Sequence, residues 1–314
     1  MRSTDLSFEA RLAAFPARRA DVAPSRVVGY RESGAAHEAS LPLVLLHGIG
    51  SGAASWVQQL EALGATRRVL AWDAPGYGES TPVEAASPHA ADYADALRAW
   101  LDALGIDRCV LVGHSLGAIV AGRFAAAHSR RVAGLALLSP AAGYGAASEA
   151  VRAQKRDARL AMLAELGPQG LAAQRSANML SPTASEPARE WVRWNMARIV
   201  PAGYAQATHL LANADLAGDV ARYPHDSRDN AQDSAQDSAQ DSAVCVAVGE
   251  ADRITPPAAC ERIAQAANVP LQFIAGAGHA GYVEAPGIYN TLIDTFCTAC
   301  DRSQQAARQQ ETKA

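Results

Sequence analysis

Short apolar runs alternate with longer helix-patterned segments along most of the chain. The runs cover residues 27–32, 41–46, 68–72, 109–112, 132–138, 244–248 and 271–274. Runs of this kind, bounded by turn residues such as Gly and Pro, are typical of strands that are buried on both faces. The helical patterns between them cover residues 90–104, 118–128, 257–267 and 286–300. This alternation predicts an α/β fold with a mostly parallel central sheet flanked by helices.

One long segment interrupts the alternation. Residues 144–221 contain several helical patterns and no strand-like run, and we interpret them as a helical cap inserted into the core. The core itself is expected to comprise residues 25–143 and 243–300. Residues 1–24 are expected to form an N-terminal extension, and the polar residues 301–314 a frayed tail.

A low-complexity segment at residues 226–242 contains Ala-Gln-Asp-Ser three times in succession. Small polar repeats bury too little surface to offset the entropy of ordering, so we expect a disordered surface loop. The segment contains five of the 32 acidic residues and one of the 28 basic ones, and so accounts for the whole net charge of −4. A nucleic-acid partner is not expected, because no excess of basic residues provides the positive surface that such binding requires.

The distribution of apolar residues and cysteines indicates the cellular setting. No apolar run approaches the roughly 20 residues of a membrane helix, and the N-terminus lacks the apolar stretch of a secretory signal. Five scattered cysteines in 314 residues argue against a disulfide framework. Cys297 and Cys300 form a C-x-x-C pair, but without a second pair for zinc we interpret them as structural. We expect a cytoplasmic protein without membrane insertion; a homo-oligomer remains open.

The most informative motif is Gly113-His114-Ser115-Leu116-Gly117, which follows an apolar run and begins a helical pattern. In this G-x-S-x-G context the serine lies on a tight strand-to-helix turn, with its hydroxyl exposed at the sheet edge. Side chains at Gly113 and Gly117 would collide with the neighbouring strand and helix. The start of the helix also provides free backbone N–H groups beside the serine. Ser115 is therefore the candidate nucleophile.

Further motifs stand at other predicted strand ends. They are His47-Gly48-Ile49-Gly50, Asp73-Ala74-Pro75-Gly76-Tyr77-Gly78-Glu79-Ser80, Gly249-Glu250-Ala251-Asp252 and Gly278-His279. With the serine motif and in this order, they make the sequence resemble the α/β-hydrolase superfamily from about residue 27 to residue 296. The resemblance is to members that have a cap and a Ser-His-Asp triad.

The resemblance implies the other catalytic roles. In this fold the nucleophile is followed along the chain by an acid and then by a histidine. His279, in a glycine-rich loop after the last strand, matches the general base, and Asp252 matches the acid that orients it. Glu250 is the nearby alternative for the acid. The oxyanion donors would be the backbone N–H groups of Ile49 and Leu116.

Two other polar residues in these motifs are expected to have structural roles. His47 would brace its loop, and Asp73 would form the turn after its strand. The sequence contains neither a phosphate-binding loop nor ligands at metal spacing, so no cofactor and no metal are expected.

The cap offers candidates for substrate contact. Trp191 and Trp194 are three residues apart and so lie on one face of a predicted helix. Trp194 and Met179 would line an apolar pocket above the candidate nucleophile, although packing of the cap against the core explains them equally well. Arg193 or Arg198 would be available for a substrate carboxylate, and solvated arginines are the alternative.

The resemblance implies a serine hydrolase that cleaves a small, largely apolar carboxylic ester or lactone through an acyl-enzyme. One alternative is hydrolysis of a carbon–carbon bond in a ring meta-cleavage product, a vinylogous 1,5-diketone. Enzymes of that kind commonly have Asn where this chain has His114. A second alternative is a non-enzymatic ligand receptor or regulator, because a fold alone does not fix a function.

Overall fold

Every apolar run of the sequence contributes a strand to a single sheet in the computed structural model, which describes residues 7–223 and 243–311. The strands are β1 (Arg18–Ala23), β2 (Arg26–Ser33), β3 (Leu43–Leu46), β4 (Val69–Trp72), β5 (Cys109–His114), β6 (Val132–Leu138), β7 (Ala243–Gly249) and β8 (Leu271–Ile274). Their order in the sheet is β1-β2-β4-β3-β5-β6-β7-β8. β2 pairs antiparallel with both β1 and β4, and the other pairs are parallel. The predicted fold class is confirmed.

Helices cover both faces of the sheet. They are α1 (Phe8–Leu12), α2 (Val57–Leu63), α3 (Ala90–Ala103), α4 (Leu116–Ala127), α5 (Glu149–Arg175), α6 (Glu186–Met196), α7 (Pro201–Asn213), α8 (Leu216–Arg222), α9 (Pro257–Ala266), α10 (Gly281–Glu284) and α11 (Pro286–Glu311). α3, α4 and α9 pack on one face, and α2 and α11 on the other. Within the described residues no helix combines the length and the apolar character that a bilayer crossing requires.

The central strands read as continuous apolar runs because each of their faces is part of a core. In β3, Val44 and Leu46 belong to one hydrophobic cluster, and Leu43 and Leu45 belong to the other. All four side chains are fully buried. A parallel strand covered on both faces has no solvent-facing position for a polar residue.

The predicted helical insertion is present between β6 and β7, and we call α5 to α8 the cap helices. α5 bends at Gly167, whose φ of 60° and ψ of 179° lie outside the helical region, and Pro168 begins its second half. At the start of α7 the backbone of Gly203 meets the turn after β4, where a Cβ on Gly203 would lie 2.0 Å from the Gly76 carbonyl oxygen. The cap therefore approaches the core with backbone against backbone.

The predicted extension at residues 1–24 contains part of the sheet, and the prediction is corrected here. β1 pairs along its length with β2 and forms one edge of the sheet. Its sequence, Arg-Arg-Ala-Asp-Val-Ala, buries only Ala20. An edge strand with one buried position lacks the apolar run by which the other strands were predicted.

The predicted frayed tail at residues 301–314 is corrected for the part described. α11 continues to Glu311 because Asp301, just past the predicted helix end, is buried and bonded. Its carboxylate accepts a hydrogen bond from the Leu41 amide at 2.8 Å and pairs with buried Arg67 at 3.0 Å. The low-complexity residues 226–242 lie outside the described residues.

The cysteines behave as buried apolar side chains. All five are buried free thiols. Burial raises the pKa of Cys109, Cys245, Cys260 and Cys300 to about 12, so these thiols remain protonated at neutral pH. The structural interpretation of the C-x-x-C pair agrees with its place inside α11.

Candidate active site

The turn from β5 into α4 holds Ser115 in a strained conformation. Its φ of 54° and ψ of −113° lie in a region that residues other than glycine rarely adopt. The backbone around it is fixed, because the Ser115 amide donates to the Leu138 carbonyl at 3.0 Å and its carbonyl accepts from the Ala141 amide at 3.1 Å. The side chain lines a cavity at the carboxyl edge of the sheet.

The two glycines of the motif permit this turn. A Cβ on Gly113 would lie 2.5 Å from the Gly117 carbonyl oxygen. One on Gly117 would lie 2.2 Å from the carbonyl oxygen of Leu46 at the end of β3. Neither position has room for any larger residue, as the motif predicts.

His279 and Asp252 form a buried pair beside the serine turn. His279 Nδ1 lies 2.9 Å from Asp252 Oδ2, and the two side chains are 1% and 0% exposed. The Asp252 Oδ1 atom accepts hydrogen bonds from the amides of Ile254 at 2.8 Å and Thr255 at 2.9 Å. Burial alone would raise the pKa of Asp252, but the hydrogen bond and charge of His279, with the Thr255 amide, outweigh it and lower the pKa to about 2. The carboxylate is therefore ionised at neutral pH.

This pairing determines which ring nitrogen of His279 carries the proton. Nδ1 donates its proton to the carboxylate, so Nε2 carries the lone pair. Nε2 is buried and has no hydrogen-bond partner within the described residues. His279 lines the same cavity as Ser115. The arrangement therefore gives one cavity lined by Ser115 and by a histidine whose Nε2 is unbonded.

Thr255 is a site residue that the sequence reasoning missed. Its Oγ1 lies 2.9 Å from Asp252 Oδ2, 3.0 Å from the Ser139 carbonyl oxygen and 3.2 Å from His279 Nδ1. It thus joins the acid, the histidine and the turn after β6. A hydroxyl three residues after an aspartate in a turn is a recognisable local pattern, but its contact with His279 depends on tertiary structure.

His114 lies behind His279 and supports its backbone. Its Nε2 is 2.8 Å from the His279 carbonyl oxygen, which requires the Nε2–H tautomer. Burial, with the nearby His279 ring, lowers the pKa of His114 to about 3. His114 is therefore neutral and serves as a hydrogen-bond donor that fixes the loop of the catalytic candidate.

Two candidate oxyanion donors face the cavity. Leu116 is the first residue of α4, so its N–H is among the helix amides that lack an intrahelical partner. Ile49 follows β3, and its carbonyl oxygen accepts from the Tyr77 hydroxyl at 2.9 Å, which anchors that loop. Both residues line the cavity with Ser115.

The two polar residues expected to be structural contact only neighbouring loops. Both ring nitrogens of His47 bond to backbone: Nε2 accepts from the Ala74 amide at 3.0 Å, and Nδ1 lies 2.8 Å from the Gly48 oxygen. The Asp73 carboxylate accepts from the Ala53 amide at 2.8 Å. Neither arrangement leaves these groups free for proton transfer.

The cavity has a volume of about 470 Å³ and lies between the sheet edge and the cap helices. Met179, as predicted, lines it, together with Met196 and Tyr204. Four cationic side chains line it as well, namely Lys155, Arg159, Arg175 and Arg262, and among the described residues no Asp or Glu does. Among residues 7–223 and 243–311, no cluster of His, Cys, Asp and Glu is arranged to hold a metal ion.

The prediction for Trp194 is corrected. Its ring stacks on Trp191 at 4.6 Å, and Arg198 lies over it at 3.6 Å. Trp191 in turn stacks on Phe8 of α1 at 5.0 Å. The spacing of three does place both tryptophans on one side of α6, but that side packs against α1 instead of the cavity. Arg193 and Arg198 also lie outside the cavity lining.

Comparison with known proteins gives matches along most of the chain. A family model described as the alpha/beta hydrolase fold matches residues 42–286. A protein named for carbamate hydrolysis, RutD of Variovorax paradoxus, is 30% identical over 258 residues, which cover 80% of this chain and 90% of that protein. A 2-hydroxy-6-oxononadienedioate/2-hydroxy-6-oxononatrienedioate hydrolase of Pseudomonas putida is 39% identical over 110 residues, 34% of this chain and 38% of that protein.

Solved structures match over a greater length. An esterase from Thermogutta terrifontis with malate bound has a TM-score of 0.75 at 23% identity, covering 91% of this chain and 99% of that one. This likeness indicates the fold. Several curated relatives match only about a third of this chain, and the matched segment covers 24% to 38% of each relative's own length.

Proposed function

Since this chain belongs to the alpha/beta hydrolase fold family and is a hydrolase, we propose that it cleaves small carboxylic esters or lactones with Ser115, His279 and Asp252 as its triad. The observation that carries the proposal is the buried His279–Asp252 pair, which leaves Nε2 of His279 without a partner while His279 and Ser115 line one cavity. A carboxylate, an imidazole and a strained serine at one edge of the sheet are the groups that acyl transfer requires.

The reaction begins when His279 Nε2 takes the Ser115 hydroxyl proton as Oγ attacks the acyl carbon. The carbonyl π electrons move to oxygen, and the Ile49 and Leu116 amides donate hydrogen bonds to that oxyanion. Collapse of the intermediate breaks the bond to the alcohol oxygen, which leaves with the proton from His279. The acyl group then remains as an ester on Ser115.

Water completes the cycle. His279 removes a proton from water as it attacks the acyl-enzyme, and then returns that proton to Ser115 as the carboxylic acid departs. The ionised Asp252 holds the tautomer of His279 throughout and stabilises the imidazolium that forms in each half-reaction. No cofactor takes part in this scheme.

The cavity sets the substrate class. A volume of about 470 Å³ lies in the range of about 300–1,000 Å³ that is usual for small-molecule sites, which favours small acyl and alcohol groups. Met179, Met196 and Tyr204 favour an apolar part of the substrate beside the ester. We place the enzyme in the cytoplasm, where its free thiols would stay reduced, with a small molecule as its partner.

The test is Ser115→Ala, assayed on short p-nitrophenyl esters. We expect the variant to lose at least about a thousandfold in kcat, because triad members act as a unit. Ser303→Ala, on the exposed side of α11, is the matched serine control and is expected to retain full activity. A melting temperature unchanged from the wild type will show that the variant is folded. Undiminished turnover by Ser115→Ala would overturn the proposal.

Carbon–carbon bond hydrolysis is the second candidate, because the Pseudomonas putida relative is named for cleavage of a dienedioate. The same triad would serve it. A dienoate ring-cleavage product, followed by loss of its absorbance, separates the two reactions when compared with an ester at equal concentration. Turnover of the dienoate alone would replace ester hydrolysis as the function. The receptor alternative would be favoured by negligible turnover of all these substrates together with a large ligand-induced rise in melting temperature.

A further inference from the structure

The charge of the cavity is one-sided. Lys155, Arg159, Arg175 and Arg262 line it, and no acidic side chain does so among residues 7–223 and 243–311. The carboxylate of Asp252 does not line the cavity. It is buried behind His279, and it accepts hydrogen bonds from His279 and from two backbone amides. Unbalanced positive charge in a concave site raises the local concentration of anions.

The helix α5 brings most of this charge to the cavity. Lys155, Arg159 and Met162 are spaced four and three residues apart, so they share one face of the helix, and all three line the cavity. After the bend at Gly167, Arg175 returns to the same space, where its Nη1 lies 3.6 Å from the Met162 sulfur. Both halves of the bent helix therefore direct cations toward the substrate.

Other arginines of α5 are neutralised by neighbours. Arg152 pairs with Glu149, and Arg156 pairs with Asp157 at 2.7 Å. Neither of these arginines lines the cavity. By contrast, Arg159 and Arg175 are half-buried and have no ion-pair partner within the described residues. The unpaired cations of this helix are those that face the cavity.

We propose that the natural substrate carries a carboxylate at the end remote from its scissile carbonyl, and that Arg159 and Arg175 bind it. The inference rests on the proposed function and specifies its substrate as a carboxylate-bearing ester or lactone. A guanidinium group suits this role because its planar set of donors matches a carboxylate and its charge persists at all relevant pH values. Lys155 and Arg262, which are exposed, add attraction at longer range.

A pair of esters with equal chain length tests the proposal. Mono-p-nitrophenyl glutarate carries a carboxylate where p-nitrophenyl pentanoate carries a methyl group, and the leaving group is the same. We expect the wild type to prefer the anionic ester by about tenfold or more in kcat/KM, which corresponds to about 1.4 kcal/mol. Arg159→Gln and Arg175→Gln should each remove most of that preference, measured as the ratio of kcat/KM on the two esters, because KM for the glutarate rises more than KM for the pentanoate.

Arg156→Gln is the matched control, since it removes a cation from the same helix outside the cavity, and the preference should persist in it. An equal loss on both esters in the Arg159 and Arg175 variants, or no preference in the wild type, overturns the carboxylate site while ester hydrolysis stands. Raising the salt concentration should weaken the preference for the anionic ester, because charge attraction is screened.

Binding gives a readout that does not depend on turnover. Glutarate should raise the melting temperature of the Ser115→Ala variant. This rise should disappear in the double variant that combines Ser115→Ala with Arg159→Gln. If neither ester is hydrolysed but glutarate still binds in this manner, the reaction proposed above fails and the anion site stands. Stabilisation by inorganic phosphate without any by glutarate overturns the assignment to a carboxylate.

Discussion

The sheet edge and the cap helices meet at one cavity, but they hold their side chains in different ways. At the sheet edge, Ser115 and the His279–Asp252 pair are fixed by backbone hydrogen bonds, glycine contacts and near-complete burial. On the cap, Arg159 and Arg175 project from a bent helix and remain half-buried. Under the proposed function, the chemistry depends on rigid local turns, whereas substrate choice depends on how separate helices lie over those turns.

Among substitutions that test the sheet edge, we expect the largest loss of activity for Asp252→Asn. The amide keeps the shape of the side chain but loses the charge and favours the wrong tautomer of His279, so we expect kcat to fall by about a thousandfold. Ester hydrolysis at saturating substrate measures it, with the melting temperature as the check on folding.

Glu250→Gln is the matched control, because Glu250 is two residues away, at the exposed end of β7, and was the alternative acid. Its turnover is expected to stay within about twofold of the wild type, as for most surface substitutions. If the losses were reversed between the two variants, Glu250 would be the acid and the geometry at Asp252 would be structural.

The difference between the two regions also explains what the sequence could predict. Ser115, with Gly113 and Gly117, was identifiable because a tight strand-to-helix turn imposes its residues locally. Asp252 and His279 are far from it in sequence, and they were placed through the order of family motifs at strand ends. Local geometry and a known topology were sufficient to predict where these residues lie, and their catalytic roles are part of the proposed function.

The remaining features depend on contacts between distant segments. Trp194 was assigned to the cavity from helix spacing, which gives the side of a helix but not the partner of that side. Asp301 was placed in a frayed tail because its bond to Arg67 spans most of the chain. Thr255 was missed because its role depends on His279. Periodicity and motifs contain no information about such pairings.

A smaller effect is expected where the cap meets the core. At Gly203 an added Cβ would lie 2.0 Å from the Gly76 oxygen, which is backbone and has little freedom to move. We expect Gly203→Ala to displace the start of α7, including Tyr204 of the cavity lining, at a cost of about 1–3 kcal/mol in the free energy of unfolding. Urea unfolding and the ester assay measure stability and activity in parallel.

Gly287→Ala is the control for that experiment, because a Cβ there would meet nothing within 4 Å, and alanine favours the helix α11. We expect the control to be as stable as the wild type or slightly more so. If Gly203→Ala were equally stable and active, the cap would not depend on this close approach, and the cap would be more mobile than the contact implies.

A further effect, measured as a dependence on pH and not as one loss of stability, concerns the buried His114 behind His279. Its pKa is lowered to about 3 in the folded protein, from an ordinary value of 6.5, mainly by burial. Below pH 6.5 the unfolded chain therefore binds a proton that the folded chain does not, so stability falls as the pH is lowered toward 3. This histidine contributes a loss of about 1.4 kcal/mol for each pH unit in that window. His114→Asn removes the contribution and should make the dependence of stability on pH shallower by that amount.

Urea unfolding between about pH 4 and about pH 6.5 measures the slope. His47, whose pKa burial also lowers, is present in both proteins, so the comparison is between the two slopes and not between absolute stabilities. The lowered pKa of Asp252 makes its stabilisation decline progressively as the pH falls below about 5, and this residue is unchanged in both proteins. Equal slopes in wild type and His114→Asn would mean that the folded protein protonates His114, and the sheet edge would then be less rigid than its burial indicates.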